Sequence, residues 1–192
     1  MVIGITGGIG SGKSTVCSIF DLFGIPVYNS DVRAKELMNS NPNLIQSIQA
    51  NFGTEVYVDG NVNPTVLARK VFSDSAALKQ LNALVHPVVS RDFDEWRDQF
   101  EKTHVVKEAA ILIESGAYKQ CDRIIVVEAP ESLRIKRVMV RDGVAEEDVE
   151  ARIRNQMSET ERRVHADYII DNSGKTMLIP QVQEILDRFK ST

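Results

Sequence analysis

Cysteine is scarce in this sequence, and the two cysteines present, Cys17 and Cys121, lie far apart and form no C-x-x-C motif. Isolated cysteines of this kind are typical of reduced core residues and argue against a disulfide framework or a cysteine-based metal site. No apolar run approaches the roughly 20 residues of a membrane-spanning helix. The chain also starts with a predicted strand rather than a signal peptide. These absences predict a soluble cytoplasmic protein.

Basic residues are fewer than acidic ones, since 23 Lys and Arg stand against 27 Asp and Glu, which gives a net charge of −4. An acidic balance argues against broad binding to nucleic acid or to an anionic membrane, although a local basic site remains compatible with it. The chain has 192 residues, 43% of them hydrophobic, which is enough for one domain with a sizeable core. The expected partners are therefore small molecules.

The strongest motif follows the first apolar run, residues 2–6, and precedes an amphipathic segment, residues 14–23. It matches the phosphate-loop pattern G-x-x-x-x-G-K-[ST] in full, between a predicted strand and a predicted helix. In such a loop, backbone N–H groups wrap an anion, and the helix N-terminus adds positive potential. Lys13 is expected to reach the β- and γ-phosphates, and the Ser14 hydroxyl to ligate Mg²⁺. The predicted phosphate-binding residues are Gly8, Ile9, Gly10, Ser11, Gly12, Lys13, Ser14 and Thr15.

A dinucleotide-binding site is the alternative for this loop, because Asp31 lies where a ribose-binding acid would be expected. Residues 10–15, G-S-G-K-S-T, lack the third glycine of G-x-G-x-x-G and carry a lysine instead. The sequence therefore predicts a nucleoside triphosphate site, with ATP and Mg²⁺ as its ligands.

Further short apolar segments alternate with helical patterns, as expected of an α/β fold with a five-stranded parallel sheet flanked by helices. A closing amphipathic helix is predicted at residues 179–189. After the strand at residues 2–6, strands are predicted at residues 25–28, 105–108, 123–127 and 168–170.

Asp31 comes directly after the second predicted strand, at the sheet edge where open α/β proteins bind their ligands. A carboxylate there is a candidate base for an acceptor hydroxyl. The alternative is that Ser30 or Asp31 is the N-cap of the following helix. The position favours the base. Two further acids, Glu108 and Glu114, follow the third strand and both qualify to hold Mg²⁺ or its water shell.

Two helical segments interrupt the alternation of strands and helices. Residues 32–100 are too long for a simple connection and predict an inserted helical lobe for the acceptor. Within that lobe, Pro87 suits the start of a helix, and His86 is either an acceptor-site group or a helix-boundary residue. Residues 131–165 predict a helical lid that brings one or two arginines over the phosphates. The arginines of that segment are Arg134, Arg137, Arg141, Arg152, Arg154, Arg162 and Arg163.

Five stretches together resemble the dephospho-CoA kinase family over essentially the full chain. Asn29 stands where the family has the first acid of its D-A-D element, whereas Asp31 matches the second acid. Ala110 stands where the family has a proline. The stretches are I-T-G-G-I-G-S-G-K-S-T at 5–15, N-S-D at 29–31, L-N-A-L-V-H-P at 81–87, A-I-L-I-E at 110–114 and A-D-Y-I-I-D-N-S-G at 166–174.

The resemblance implies a P-loop kinase fold and transfer of the γ-phosphoryl of ATP to the 3′-hydroxyl of dephospho-coenzyme A. It implies that Asp31 is the base, that Glu108 helps Ser14 with Mg²⁺, and that Arg137, with Arg141, faces the phosphates. It also places Asn172 near the nucleotide base. The residues alone leave open a kinase of a nucleoside monophosphate or of shikimate, and a switch ATPase. The sequence lacks the guanine-reading motif N-K-x-D, and this absence argues against the switch protein.

Overall fold

The computed structural model of the chain describes residues 1–72, 74–100 and 103–190. It contains two compact units, one formed by Met1–Asn29 with Lys102–Thr192 and the other by Ser30–Glu101. The strands are β1 (Val2–Thr6), β2 (Val27–Asn29), β3 (Tyr57–Val58), β4 (Asn61–Val62), β5 (Val105–Glu108), β6 (Arg123–Glu128) and β7 (Tyr168–Asp171). The helices are α1 (Lys13–Leu22), α2 (Ser30–Ser40), α3 (Pro42–Phe52), α4 (Pro64–Phe72), α5 (Ser75–Arg97), α6 (Glu131–Asp142), α7 (Glu146–Arg154), α8 (Glu159–Arg163) and α9 (Leu178–Lys190).

The first unit is built on a five-stranded sheet in the order β2-β5-β1-β6-β7, with all neighbours parallel. Every residue of β1 and β5 is buried, as expected of strands covered on both faces. The predicted five-stranded parallel sheet flanked by helices is therefore confirmed. Because the strands are parallel, the residues that end them, including Thr6, Asn29 and Glu108, lie along one edge.

Helix α1 packs on this sheet through one apolar face. Phe20 is fully buried against the central strands, and Cys17 lies on the same face. Both cysteines are free thiols, and burial raises the pKa of Cys17 to about 12. Cys17 lies in the core as predicted, whereas Cys121 is only partly buried beside a smaller cluster.

The second unit consists of α2 to α5 and a small antiparallel hairpin of β3 and β4. The hairpin turn has positive φ at both Asp59 and Gly60, the backbone of a tight two-residue turn. Arg33 on α2 forms a two-pronged hydrogen-bonded ion pair with Asp92 on α5, which ties these two helices together. The hairpin interrupts the otherwise helical segment that the sequence predicts at residues 32–100.

The expected helix start at Pro87 is wrong, because α5 is a single helix of 23 residues with Pro87 in its interior. A proline in a helix removes the hydrogen bond from its own nitrogen to the carbonyl four residues earlier, and costs about 3 kcal/mol. Val85, Val89 and Phe93 are buried on the same helix, on either side of the proline. Their burial offsets the local loss and carries the helix through.

Within the described residues, every helix is too short or too polar to cross a lipid bilayer.

Truncation of Phe20 tests the packing of α1 on the sheet. We expect Phe20→Ala to lower the free energy of unfolding by about 3–5 kcal/mol, because it opens a cavity in a fully buried site. Leu22→Ala, on the same helix but 83% exposed, should change it by less than about 0.5 kcal/mol. Urea denaturation measures both. Equal losses for the two variants would contradict the packing described above.

Candidate active site

The phosphate loop runs from the end of β1 to the start of α1 at the carboxyl edge of the sheet. Gly10 and Gly12 have φ values of 77° and 92°, which L side chains rarely adopt, so the loop turns back on itself at these glycines. Lys13 folds over the loop, and its ammonium donates to the Gly7 carbonyl at 2.9 Å. The predicted geometry of strand, loop, lysine and helix is present.

Glu108 ends β5 and lies beside the end of β2, where Asn29 is its register partner. The Asn29 amide donates a hydrogen bond to the Glu108 carboxylate, which is only 5% exposed. The carboxylate is also close to Cys17, since its charge adds to the effect of burial on the pKa of that thiol. Glu108 is thus a buried, oriented carboxylate next to α1.

Glu114, the second acid considered for Mg²⁺, has other neighbours. Its Oε1 accepts from the Met157 amide at 3.4 Å and lies 3.8 Å from Nη2 of Arg162. Both contacts belong to the segment before and within α8. The structure therefore gives Glu108 and Glu114 different neighbours, although the residue pattern had left them equivalent as candidates.

Arg137 and Asn172 converge on the middle of the phosphate loop. Arg137 donates to the Asn172 carbonyl at 3.0 Å and to the Gly10 carbonyl at 3.4 Å. The Asn172 amide donates to the Ser11 carbonyl at 2.7 Å. These two predicted residues come from α6 and from the end of β7, and the fold brings them together at the loop.

Arg141 is held elsewhere. Its guanidinium pairs with Asp142 at 2.7 Å and is 63% exposed. The neighbouring cations Arg141 and Arg152 hold the pKa of the Asp142 carboxyl below its usual value. Among the described residues, Arg141 pairs with Asp142 rather than with the phosphate loop, in contrast to Arg137 one turn earlier.

Asp31 occupies the second position of α2, which begins at Ser30. Neither Ser30 nor Asp31 is therefore the N-cap, because the cap precedes the first helical residue. A carboxylate in the first turn of a helix is stabilised by the positive end of the helix dipole. Asp31 is also an exposed residue. An exposed side chain is accessible to a ligand, as the base hypothesis requires.

Two buried arginines beside the loop were missed as site residues. Arg134 is 4% exposed and Arg162 is 1% exposed, and the guanidinium groups of both lie near Gly8. Burial lowers the pKa of Arg162 below its ordinary value, and the charge of Arg134 acts in the same direction. Arg134 shares the buried face of α6 with Ile135 and Val138. The sequence signal that could have identified it is an arginine at a position where the helical pattern calls for an apolar residue.

The donors at this edge fit a phosphorylated ligand with a divalent cation. Loop amides, Lys13 and the arginines suit phosphate oxygens, and the Ser14 hydroxyl and Glu108 carboxylate are oxygen donors of the type that Mg²⁺ prefers. Among the described residues, no group of three or more His, Cys, Asp or Glu side chains is placed to hold a metal ion.

Comparison with known proteins points to one family. The family model for dephospho-CoA kinase matches residues 1–177 of this chain. A dephospho-CoA kinase of Porphyromonas gingivalis is 40% identical over 192 residues, which cover 100% of this chain and 95% of that protein. One from Bacteroides fragilis is 40% identical over 185 residues, covering 96% of this chain and 90% of that protein.

Solved structures agree with these sequence matches. A protein of Thermus thermophilus is 36% identical with a TM-score of 0.88, and the match covers 98% of this chain and 97% of that one. Dephospho-CoA kinase from Campylobacter jejuni is 25% identical with a TM-score of 0.72, covering 99% and 97%. Shikimate kinase from Acinetobacter baumannii, at 19% identity and a TM-score of 0.53 over 99% and 93%, shares the fold.

Proposed function

The chain belongs to the dephospho-CoA kinase family, and on that premise we propose that it transfers the γ-phosphoryl group of ATP to the 3′-hydroxyl of dephospho-coenzyme A. The observation that carries the proposal is the complete phosphate loop at the sheet edge, with Lys13 and Arg137 both bonded to it. Phosphoryl transfer passes through a loose transition state, so positioning and charge neutralisation do most of the work. The two free cysteines support a reducing, cytoplasmic location.

The loop amides and Lys13 bind the β- and γ-phosphates. The Lys13 ammonium donates to the Gly7 carbonyl, within the loop itself, and this contact supports its assignment to the phosphates. We assign Mg²⁺ to Ser14 and Glu108, with Asn29 orienting the carboxylate. Ser14 and Glu108 would hold the ion, which would supply positive charge to offset the charge of the phosphates. Glu114 is engaged with Arg162, which supports Glu108 as the metal-side acid.

Asp31 accepts the proton of the acceptor hydroxyl. Its place in the first turn of α2, directly after β2, and its exposure support this role. The unit Ser30–Glu101 serves as the acceptor lobe, in keeping with the inserted lobe expected at residues 32–100. Residues 131–165 act as the lid.

Arg137 neutralises charge on the phosphates as the bond to the γ-phosphoryl breaks. Its hydrogen bonds to the Gly10 and Asn172 carbonyls support a position between the phosphate loop and the nucleotide side of the site. Arg141 joins it only after releasing its pair with Asp142. Arg137 is therefore assigned the larger share.

The activity itself is tested by ATP turnover with and without dephospho-coenzyme A. We expect turnover to require that acceptor, and Lys13→Ala to abolish nearly all of it while the melting temperature stays close to that of the wild type. Turnover with shikimate or a nucleoside monophosphate instead would indicate a kinase of another acceptor. Turnover to ADP that no acceptor stimulates would indicate a switch ATPase.

Asp31→Asn tests the proposed base. The amide cannot take the hydroxyl proton, so turnover should fall by about 10²–10⁴-fold. ATP affinity and melting temperature should barely change, because the side chain keeps its size. Asp74→Asn is the matched control, since Asp74 is the N-cap of α5 and asparagine caps equally well. Full activity in Asp31→Asn would remove Asp31 from the catalytic residues, and rescue by high Mg²⁺ would indicate a metal-positioning role.

Arg137 is tested by a graded pair of substitutions. Arg137→Ala should reduce turnover by roughly 10³-fold, and Arg137→Lys by less, because lysine keeps the charge and loses the planar fork. Arg141→Ala should have a smaller effect than Arg137→Ala. Arg154→Ala, which removes an exposed lid arginine paired with Glu150, is the control and should leave turnover unchanged. A larger loss in Arg141→Ala than in Arg137→Ala would reverse the assignment.

A further inference from the structure

The first half of the phosphate loop lies against α6 rather than against solvent. The guanidinium of Arg134 packs over the Cα atom of Gly8: an ideal Cβ at Gly8 would overlap Nη1 of Arg134 and lie 3.1 Å from its Cζ. Two residues later, an ideal Cβ at Gly10 would overlap the Arg134 carbonyl oxygen and lie 2.9 Å from its Cα. One residue of α6 therefore touches two glycines of the loop, one through its side chain and the other through its backbone.

These two glycines are required for different reasons. Gly10 has a φ of 77°, so a side chain there would be strained whatever its surroundings. Gly8 is not among the glycines with positive φ, so its backbone would accept alanine. The obstacle to a side chain at Gly8 is the guanidinium of Arg134, because the next nearest group, Nη1 of Arg162, is at an ordinary contact distance of 3.7 Å.

Arg134 is held in this position. Its side chain is 5% exposed, and carboxylates lie on both sides of it, with Glu159 at 3.4 Å from Nε and Glu131 at 3.5 Å from Nη2. Displacing the buried guanidinium would weaken both ion pairs, whose acids Glu131 and Glu159 are 65% and 38% exposed. The two ion pairs therefore restrain the guanidinium next to Gly8.

The tip of the loop is fixed from the same side. The Ile9 amide donates to the side-chain oxygen of Gln156 at 2.8 Å. The Ile9 side chain packs against the cluster of Ile135, Val138 and Val149, on α6 and α7. Residues 8–10 of the loop thus contact α6 and α7 through apolar packing and the Arg134 guanidinium, and the segment after α7 through the hydrogen bond to Gln156.

We propose that Arg134 is a positioning residue of the nucleotide site, whose guanidinium fixes the path of the phosphate loop by packing on Gly8. Glycine is needed at position 8 to admit that guanidinium, while the loop amides, rather than Arg134, bind the phosphates. This inference rests on the proposed nucleotide site and adds a residue that the phosphate-loop pattern does not contain.

The test compares Gly8→Ala and Gly10→Ala, each made in the wild type and in the Arg134→Ala variant. The quantity measured is the affinity for ATP, by calorimetry in the presence of Mg²⁺. Gly8→Ala alone should weaken ATP binding at least about tenfold, in the range of coupling between residues in contact. In the Arg134→Ala background the same change should cost less than about threefold, because the new methyl group occupies space that the guanidinium has left. Gly10→Ala is the matched control. It should weaken binding equally in both backgrounds, since its obstacles are its own φ and the Arg134 backbone.

A second readout separates positioning from general stability. Arg134→Ala should raise KM for ATP and leave KM for dephospho-coenzyme A unchanged, whereas a merely structural loss would lower the melting temperature without that split. Arg134→Met, which keeps the apolar stem, repeats the cycle if Arg134→Ala does not fold. Equal costs of Gly8→Ala with and without the arginine, or a harmless Gly8→Ala, would overturn the inference. Because affinity is measured without turnover, the result holds even if the proposed acceptor proves wrong.

Discussion

Close approach of cations to a bare backbone is the constraint on which this site depends. A loop that binds phosphate with its own amides needs positive charge nearby, and the charge can come within contact only where side chains are missing. A Cβ at Gly12 would overlap the Asn172 amide, and one at Gly8 would overlap the Arg134 guanidinium. The glycines of the loop therefore admit neighbours as well as permitting unusual backbone angles. The positions of α6 and of the end of β7 follow from this fit.

Charge of one sign collected in a buried place needs acids around it. Arg134 and Arg162 lie near each other, and burial with mutual repulsion lowers the pKa of Arg162. Glu114, Glu131 and Glu159 lie within 3.4–3.8 Å of the two guanidinium groups and offset that repulsion. This explains why an acid so near the sheet edge as Glu114 is engaged with an arginine. Glu114 therefore balances a buried arginine, whereas Glu108 accepts a hydrogen bond from the Asn29 amide.

Local patterns predicted the frame of the site, since strands buried on both faces are continuous apolar runs and the phosphate loop is a contiguous motif. The five strands, α1 and the arrangement of Lys13 were all available in this way. The pairings that complete the site join residues far apart in the chain, such as Arg137 with Asn172 or Ile9 with Gln156, and no local pattern encodes them. Pro87 shows that a local signal can also mislead. The proline is a local helix-breaking signal, but buried residues on both sides of it keep α5 continuous.

The pairing of Asn29 with Glu108 explains a departure from the family pattern in physical terms. The family resemblance predicts an acid at position 29, which would place two carboxylates at the ends of neighbouring strands. Like charges at hydrogen-bond distance raise the pKa of one partner, so that one carboxyl holds a proton. An amide at position 29 avoids that repulsion and instead donates a hydrogen bond to the carboxylate of the 5% exposed Glu108. The asparagine therefore leaves the carboxylate that we propose for Mg²⁺ with a hydrogen-bond donor, and leaves Asp31 as the proposed base.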